Sequence, residues 1–364
     1  MSTVGVAGLG VMGLGIAQVM AQAGHEVLAT DADPGARAGA QDRLAGALDR
    51  GGAKDKAAVL GRVRVVDGPE AMGGAGLVIE AIVESLDAKR ALFARLEGVL
   101  APEAVLATNT SSLPVAALAE GLRHPERVVG LHFFNPAPVM RLVELVRHAG
   151  TAEEAAALAR GLAEGAGKTV VDAPDRPGFI VNRCARPFYG EALALLEEGR
   201  SPSDVDAAMG AAGYRLGPFA LIDLVGADIN LAATRGLAAA MGGHPRYHVF
   251  AALERQVEAG RLGRKAGQGF LWPDRPGSPP ADAEAIAARI EATVVNEAGW
   301  LLAEGGVAAE GIDVAVRLGL NWPRGPFEVL AARGPEAIRA TLAGLERRTP
   351  FPGRYAPAPI LEAR

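Results

Sequence analysis

The chain has 364 residues, of which 49% are hydrophobic, 22% charged and 5% aromatic. At about 150 residues per domain this length gives two or three domains, with core enough to exclude a disordered chain or a disulfide-stapled miniprotein. The formal net charge of -5 argues against a protein held on nucleic acid by phosphate neutralisation, and the one cysteine, Cys184, excludes an internal disulfide or thiolate metal cluster and suits a cytoplasmic location.

Residues 1–24 carry no charged side chain, but Gly5, Gly8, Gly10, Gly13 and Gly15 crowd the first fifteen positions and no basic stretch precedes the apolar run. Neither a signal peptide nor a spanning helix is expected, so no membrane role is. Thr3–Ala7 reads as a buried strand, residues 14–23 as an apolar helix ended by Gly24, and residues 25–31 as a second strand. Asp33-Pro34 opens a charge-studded helical arm running to about residue 60. Strands are expected at 62–67, 77–82, 105–108, 128–132 and 139–147, with an amphipathic helix over 86–100 and another helix after 108. An Ala- and Leu-rich helix over 151–167 and a last strand at 169–172 complete the series. Alternation of this kind predicts an α/β N-terminal domain, a Rossmann-type doubly wound sheet over residues 1–175.

From Phe179 the pattern turns helical, with a boundary near Arg176-Pro177, a linker at Asp274–Pro280 and a further helical block from Ala283. The two halves of this region match. Glu191-Ala-Leu-Ala-Leu-Leu-Glu-Glu-Gly199, Val205-Asp206 and Gly217-Pro218-Phe219 return as Glu297-Ala-Gly-Trp-Leu-Leu-Ala-Glu-Gly305, Ile312-Asp313 and Gly325-Pro326-Phe327. Two all-α C-terminal domains follow, at 176–274 and 281–364, the second a degenerate copy: aligning Glu297 on Glu191 sets Ala288 opposite Asn182.

Gly8-x-Gly10-x-x-Gly13 lies between the first strand and its helix, with Val11 and Met12 inside the turn. Gly8 permits the tight turn, Gly10 admits a pyrophosphate to the backbone, Gly13 lets helix pack on strand, and the helix N-terminus offers free N–H groups. Asp31, at the end of the second strand, is placed to accept from both ribose hydroxyls and repel a 2′-phosphate, which favours NAD over NADP. Arg37 lies beyond Pro34 on the next helix. No spacing of His, Cys and carboxylates suggests a metal site. Of six histidines, His132 stands at the C-terminal end of a strand, where open α/β sheets bind ligands, followed by Phe133-Phe134-Asn135-Pro136.

The segment Gly130-Leu-His-Phe-Phe-Asn-Pro-Ala-Pro-Val-Met-Arg-Leu-Val-Glu144 closely resembles the signature of the L-3-hydroxyacyl-CoA dehydrogenases. Val78–Glu84, Asn109-Thr-Ser-Ser-Leu113 and Asp175–Arg183 resemble three more of its motifs, in the family's order, and the likeness runs from residue 3 to about 272. The resemblance implies NAD-dependent oxidation of a short-chain L-3-hydroxyacyl-CoA, such as 3-hydroxybutyryl-CoA, in fatty-acid breakdown or a related pathway. It makes His132 the general base and acid, Glu144 its carboxylate partner, and Ser111 and Asn182 the groups around the substrate oxygen. Glu84, Lys89 and Asn109 would line the nicotinamide end of the cofactor, and Lys265 would be a further contact. The arm would lie beside the acyl-CoA, with Lys54, Lys56, Arg43 and Arg50 as candidate cations. Imidazole titrates near neutral pH, so it suits the proton that leaves oxygen as hydride leaves carbon. The duplicated helical region resembles that of longer members; because the first such domain commonly makes the family's dimer, a homodimer or an internal pseudo-dimer is expected. The Gly8–Gly13 turn also resembles the opening of β-hydroxyacid dehydrogenases, which use a catalytic lysine. A dehydrogenase of a free hydroxy acid or sugar acid is therefore one alternative, and a non-enzymatic NAD-binding structural protein is another.

Overall fold

The computed structural model describes residues 2–52 and 54–362. The chain divides after Phe179 into two compact units, three residues beyond the expected boundary, and both helical copies fall in the second.

In the first unit β1 (Thr3–Ala7), α1 (Val11–Gln22) and β2 (Glu26–Thr30) lead to α2 (Pro34–Ala38), α3 (Ala40–Arg50) and α4 (Lys56–Arg62). β3 (Val63–Val65), β4 (Leu77–Glu80), α5 (Leu86–Glu97), β5 (Val105–Thr108), α6 (Val115–Ala119) and β6 (Val128–Phe133) follow, then β7 (Leu142–Arg147), α7 (Glu153–Gly165) and β8 (Thr169–Pro174). The eight strands form one sheet in the order β3-β2-β1-β4-β5-β6-β7-β8. All neighbours are parallel except β6 and β7. Every residue of β4, β5 and β6 is buried, the mark of strands covered on both faces. Strand order reverses beside β1, so the crevice at the carboxyl ends of β1 and β4 is a topological switch point.

Three expectations shift. α1 begins at Val11 rather than residue 14, so Gly13 sits inside its first turn. The arm is three short helices, with Gly39 both ending α2 and opening α3. Residues 139–141 are not strand: the N–H groups of Val139 and Met140 both donate to the Pro136 carbonyl, which makes a turn before β7.

The second unit contains α8 (Val181–Glu197), α9 (Pro202–Ala211), α10 (Pro218–Val225), α11 (Ala227–Ala240) and α12 (Ala251–Glu258), then α13 (Ala283–Ala303), α14 (Ala309–Leu320), α15 (Pro326–Arg333) and α16 (Pro335–Glu346). Among the described residues no helix is long and apolar enough to cross a membrane. The Asp…Gly-Pro-Phe repeat has a physical basis. Asp206 accepts from the N–H groups of Phe219 (3.0 Å) and Ala220 (2.8 Å) at the start of α10, and Asp313 accepts from Phe327 (2.8 Å) and Glu328 (3.2 Å) at the start of α15. A Cβ on Gly217 or Gly325 would stand 2.3 Å from the respective carboxyl carbon, so each glycine makes room for its acid. Burial pushes the Asp206 carboxyl up to about 7, against the lowering pull of those two N–H groups.

α13 packs along α8, and the two copies exchange ion pairs across that contact. Arg183 Nε lies 2.7 Å from Glu297, and its other nitrogens reach Glu304 at 2.6 and 2.7 Å. In the equivalent positions Arg289 Nε lies 2.6 Å from Glu191 and reaches Glu198 at 2.6 Å. The same swap holds for the tyrosines: Tyr247 donates to Glu297 at 2.5 Å and Tyr355 to Glu191 at 3.1 Å. The interface inside the second unit is thus self-complementary, as in a two-fold dimer.

Candidate active site

The turn after β1 is shaped for a dinucleotide. Gly8 has φ +104°, and a Cβ there would stand 2.4 Å from the Ala81 carbonyl oxygen. A Cβ on Gly13 would lie 1.8 Å from the Gly8 carbonyl oxygen, which explains how closely α1 meets the turn. Gly10 differs, because a Cβ there would meet no protein atom within 4 Å. No internal packing demands glycine at that position; open backbone facing outward is what a pyrophosphate requires. Gly10 caps α1 without a side chain, and no acid stands in the first turn, so the N–H groups there remain available to an anion. Val11 is largely exposed beside them and Met12 half-buried. Asp31 is fixed by the N–H groups of Leu9 (2.7 Å) and Asp33 (2.9 Å), which holds its carboxylate at the end of β2. Arg37 donates to the carbonyls of Asp31 (2.6 Å) and Ala32 (3.3 Å) and is engaged there.

β6 and β7 place His132 directly opposite Glu144 in an antiparallel pair. His132 Nδ1 lies 2.7 Å from Glu144 Oε2, with the carboxylate fully buried and the imidazole 6% exposed. A carboxylate on Nδ1 fixes the tautomer and leaves Nε2 as the nitrogen for proton exchange. The rings of Phe134 (4.5 Å) and Phe179 (5.8 Å) pack against the imidazole.

The loop after β5 is tied to this pair. Asn109 Oδ1 accepts from the Phe133 N–H at 2.8 Å, one residue beyond His132. Glu84 Oε1 accepts from the Thr110 hydroxyl (2.6 Å), the Ser112 hydroxyl (2.8 Å) and the N–H groups of Ser111 (3.1 Å) and Ser112 (3.2 Å). Burial raises the pKa of Glu84, but these donors and the Lys89 ammonium outweigh it and hold the carboxyl below the usual range. Lys89, expected along the nicotinamide end, is instead 1% exposed: its ammonium lies 2.6 Å from buried Glu80 and 3.2 Å from Glu84, so it reaches the site through Glu84. Glu80 also accepts from the Thr108 hydroxyl at 2.7 Å and the Ile82 N–H at 2.6 Å. Glu80, Thr108, Thr110 and Ser112 do not stand out in the sequence; the available signal is an acid ending an otherwise apolar strand at the switch point. The structure thus gathers His132, Glu144, Asn109, Ser111 and Glu84 at the carboxyl ends of β4, β5 and β6, with Ser111 exposed.

Beside α1 runs a groove of about 740 Å³, lined by Leu14, Gly15, Arg43, Arg50 and the Pro136–Val139 turn. Arg43 donates to the carbonyls of Leu9 (3.1 Å) and Ala36 (2.7 Å), which ties the arm to the glycine turn. Lys56 pairs with Asp49 at 2.7 Å, and Lys54 is exposed in the turn before α4 and does not line the groove. Arg43 and Arg50 are both exposed and both line the groove, and Arg43 is the one engaged by backbone carbonyls. Asn182 and Lys265 belong to the second unit. Asn182 is half-buried in the first turn of α8, where its carbonyl accepts from Arg186, and Lys265 pairs with Asp228 at 2.6 Å.

Two family models match the chain. One, described as 3-hydroxyacyl-CoA dehydrogenase, NAD binding domain, covers residues 3–176; the other, described as 3-hydroxyacyl-CoA dehydrogenase, C-terminal domain, covers 178–272 and 286–364. The 3-hydroxyadipyl-CoA dehydrogenase of Escherichia coli (strain K12) is 44% identical over 279 residues, which is 74% of this chain and 59% of that protein, under two thirds of its length. The probable 3-hydroxybutyryl-CoA dehydrogenase of Bacillus subtilis (strain 168) is 40% identical over 273 residues, 73% of this chain and 95% of the relative. The crystal structure of 3-hydroxybutyryl-CoA dehydrogenase from Escherichia coli K12 superposes with a TM-score of 0.92 at 32% identity, covering 99% of this chain and 97% of that one.

Proposed function

The chain belongs to the 3-hydroxyacyl-CoA dehydrogenase family of NAD-dependent oxidoreductases, and from that premise we propose that it interconverts short-chain L-3-hydroxyacyl-CoA and 3-oxoacyl-CoA through His132. The observation that carries this reading is the 2.7 Å contact between His132 Nδ1 and the buried Glu144 carboxylate. NAD, when bound, supplies the hydride acceptor. His132 Nε2 takes the hydroxyl proton as the alcohol is oxidised and returns it in the reverse direction. Glu144 holds the ring with its proton on Nδ1 and stabilises the imidazolium that forms. The Ser111 hydroxyl, on a loop held by Glu84, hydrogen-bonds the reacting oxygen. Asn182 carries the substrate-contacting amide that the family resemblance implies. Gly10 and the α1 N-terminus take the pyrophosphate, and Asp31 takes the adenosine ribose. Lys89 acts on the cofactor end only through Glu84.

The groove between α1, the arm and the Pro136–Val139 turn takes the CoA portion, with Arg50 rather than Lys54 as the cation at its edge. The short acyl chain is favoured by relatives named for 3-hydroxybutyryl-CoA. The reciprocal Arg183–Glu297 and Arg289–Glu191 pairs support an internal pseudo-dimer, in which α13 occupies the place that a partner's α8 would take. A reducing cytoplasm, which suits the chain's one cysteine, completes the reading. The test compares NADH oxidation with acetoacetyl-CoA and with free acetoacetate. Turnover of the thioester alone is expected; turnover of the free acid alone would replace this reading with that of a hydroxy-acid dehydrogenase.

A further inference from the structure

Lys168, the residue before β8, is a buried cation that the chemistry above does not use. It is 9% exposed, and burial pushes its ammonium below the ordinary lysine range. Burying an ammonium is costly unless it is hydrogen-bonded. Lys168 Nζ donates to the Ala137 carbonyl at 2.5 Å and the Met140 carbonyl at 2.8 Å.

Those carbonyls belong to the turn joining the His132 strand to the Glu144 strand. Pro136 and Pro138 remove two N–H donors from this turn. Ala137 is 2% exposed, so its carbonyl needs a partner inside the protein. The other side of the turn lies against α1, where a Cβ on Gly15 would stand 3.2 Å from the Ala137 Cβ and 3.3 Å from the Pro138 Cδ. The turn is therefore held between α1 and the Lys168 ammonium, and its outer residues form one wall of the groove.

We propose that Lys168 is a positioning residue for the thioester substrate: its ammonium pins the 136–140 turn and so sets the wall of the groove that receives the CoA portion. This rests on the groove's assignment to CoA. Neither His132 nor Glu144 lines the groove, so loosening its wall removes binding that ground state and transition state share, which raises KM more than it lowers kcat.

The experiment compares wild type with Lys168→Met, similar in length and without charge, by amide hydrogen exchange and by steady-state kinetics with acetoacetyl-CoA and NADH. If Lys168→Met does not fold, Lys168→Gln takes its place with the same readings. Faster exchange is expected at Val139 and Met140, together with a rise of about tenfold in KM for acetoacetyl-CoA and little change in KM for NADH. Unchanged exchange in this turn would overturn the proposal. Faster exchange with an unchanged acetoacetyl-CoA KM would also overturn it, because Lys168 would then be structural only. A wild-type protein that does not turn over the thioester would sink the functional reading instead, and the exchange data would still decide whether Lys168 pins the turn.

Discussion

The role proposed for Glu144, to decide which nitrogen of His132 carries the proton, is isolated by one substitution. Glu144→Gln keeps the shape but loses the charge that stabilises imidazolium. It is expected to lower kcat by about 10²-fold or more while leaving the KM for NADH near its wild-type value. A kcat close to wild type in this variant would remove Glu144 from the mechanism. His132 was legible from its place at a strand end, whereas Glu144 and Asn109 were legible only through the family motifs that contain them. Glu80 was not, although its carboxylate holds Lys89 and Thr108. Likewise Glu84 gathers donors 26 to 28 residues away, a convergence made by the fold that leaves no local period in the chain. Lys89 shows the converse, since its motif position was legible but its burial was not.

At the level of elements, the glycine turn and α1 act as one piece. Gly13→Ala would drive a methyl into the Gly8 carbonyl, so it is expected to cost more than the roughly 1–3 kcal/mol of ordinary overpacking and to abolish NADH binding. A Gly13→Ala protein with wild-type melting and NADH fluorescence would contradict that packing. Asp206 makes a second prediction. Its folded pKa of about 7 stands above the ordinary aspartate value of 3.8, so between those pH values the unfolded chain binds fewer protons than the folded one. Stability from this group is therefore fully present in acid and is lost as pH rises through that window. The fall in melting temperature between about pH 5 and about pH 8 is expected to be shallower in Asp206→Asn, which keeps one acceptor for the two N–H groups; an equal or steeper fall would contradict it. β4 and β5 were legible because burial on both faces leaves runs that are apolar up to their last residue. Residues 139–141 were misread because their apolar character serves a turn and a groove wall rather than a sheet face.

For the whole molecule, the duplication places a self-complementary face inside one chain. Arg183 meets the second copy's Glu297 and Glu304, and Arg289 meets the first copy's Glu191 and Glu198. Light scattering is expected to give the mass of one chain, and a chain cut within the 274–280 linker is expected to dimerise through α8, where each Arg183 would find a partner's carboxylates. A full-length dimer together with a monomeric truncation would overturn the pseudo-dimer. The repeat was legible from its glutamates and its Gly-Pro-Phe turns. The pairing was not, because an arginine on a helix reads as a solvated charge, whereas Arg183 is fully buried. If His132 drives NAD-linked chemistry on a 3-hydroxyacyl thioester, replacing it must slow NADH turnover with that thioester. The deciding measurement follows NADH absorbance with acetoacetyl-CoA for wild type and His132→Gln side by side. Rapid NADH loss is expected in wild type and a rate lower by about 10²–10⁴-fold in the variant, with NADH binding retained. Wild-type protein that oxidises no NADH with any 3-oxoacyl-CoA, or a variant that keeps most of the activity, would contradict it.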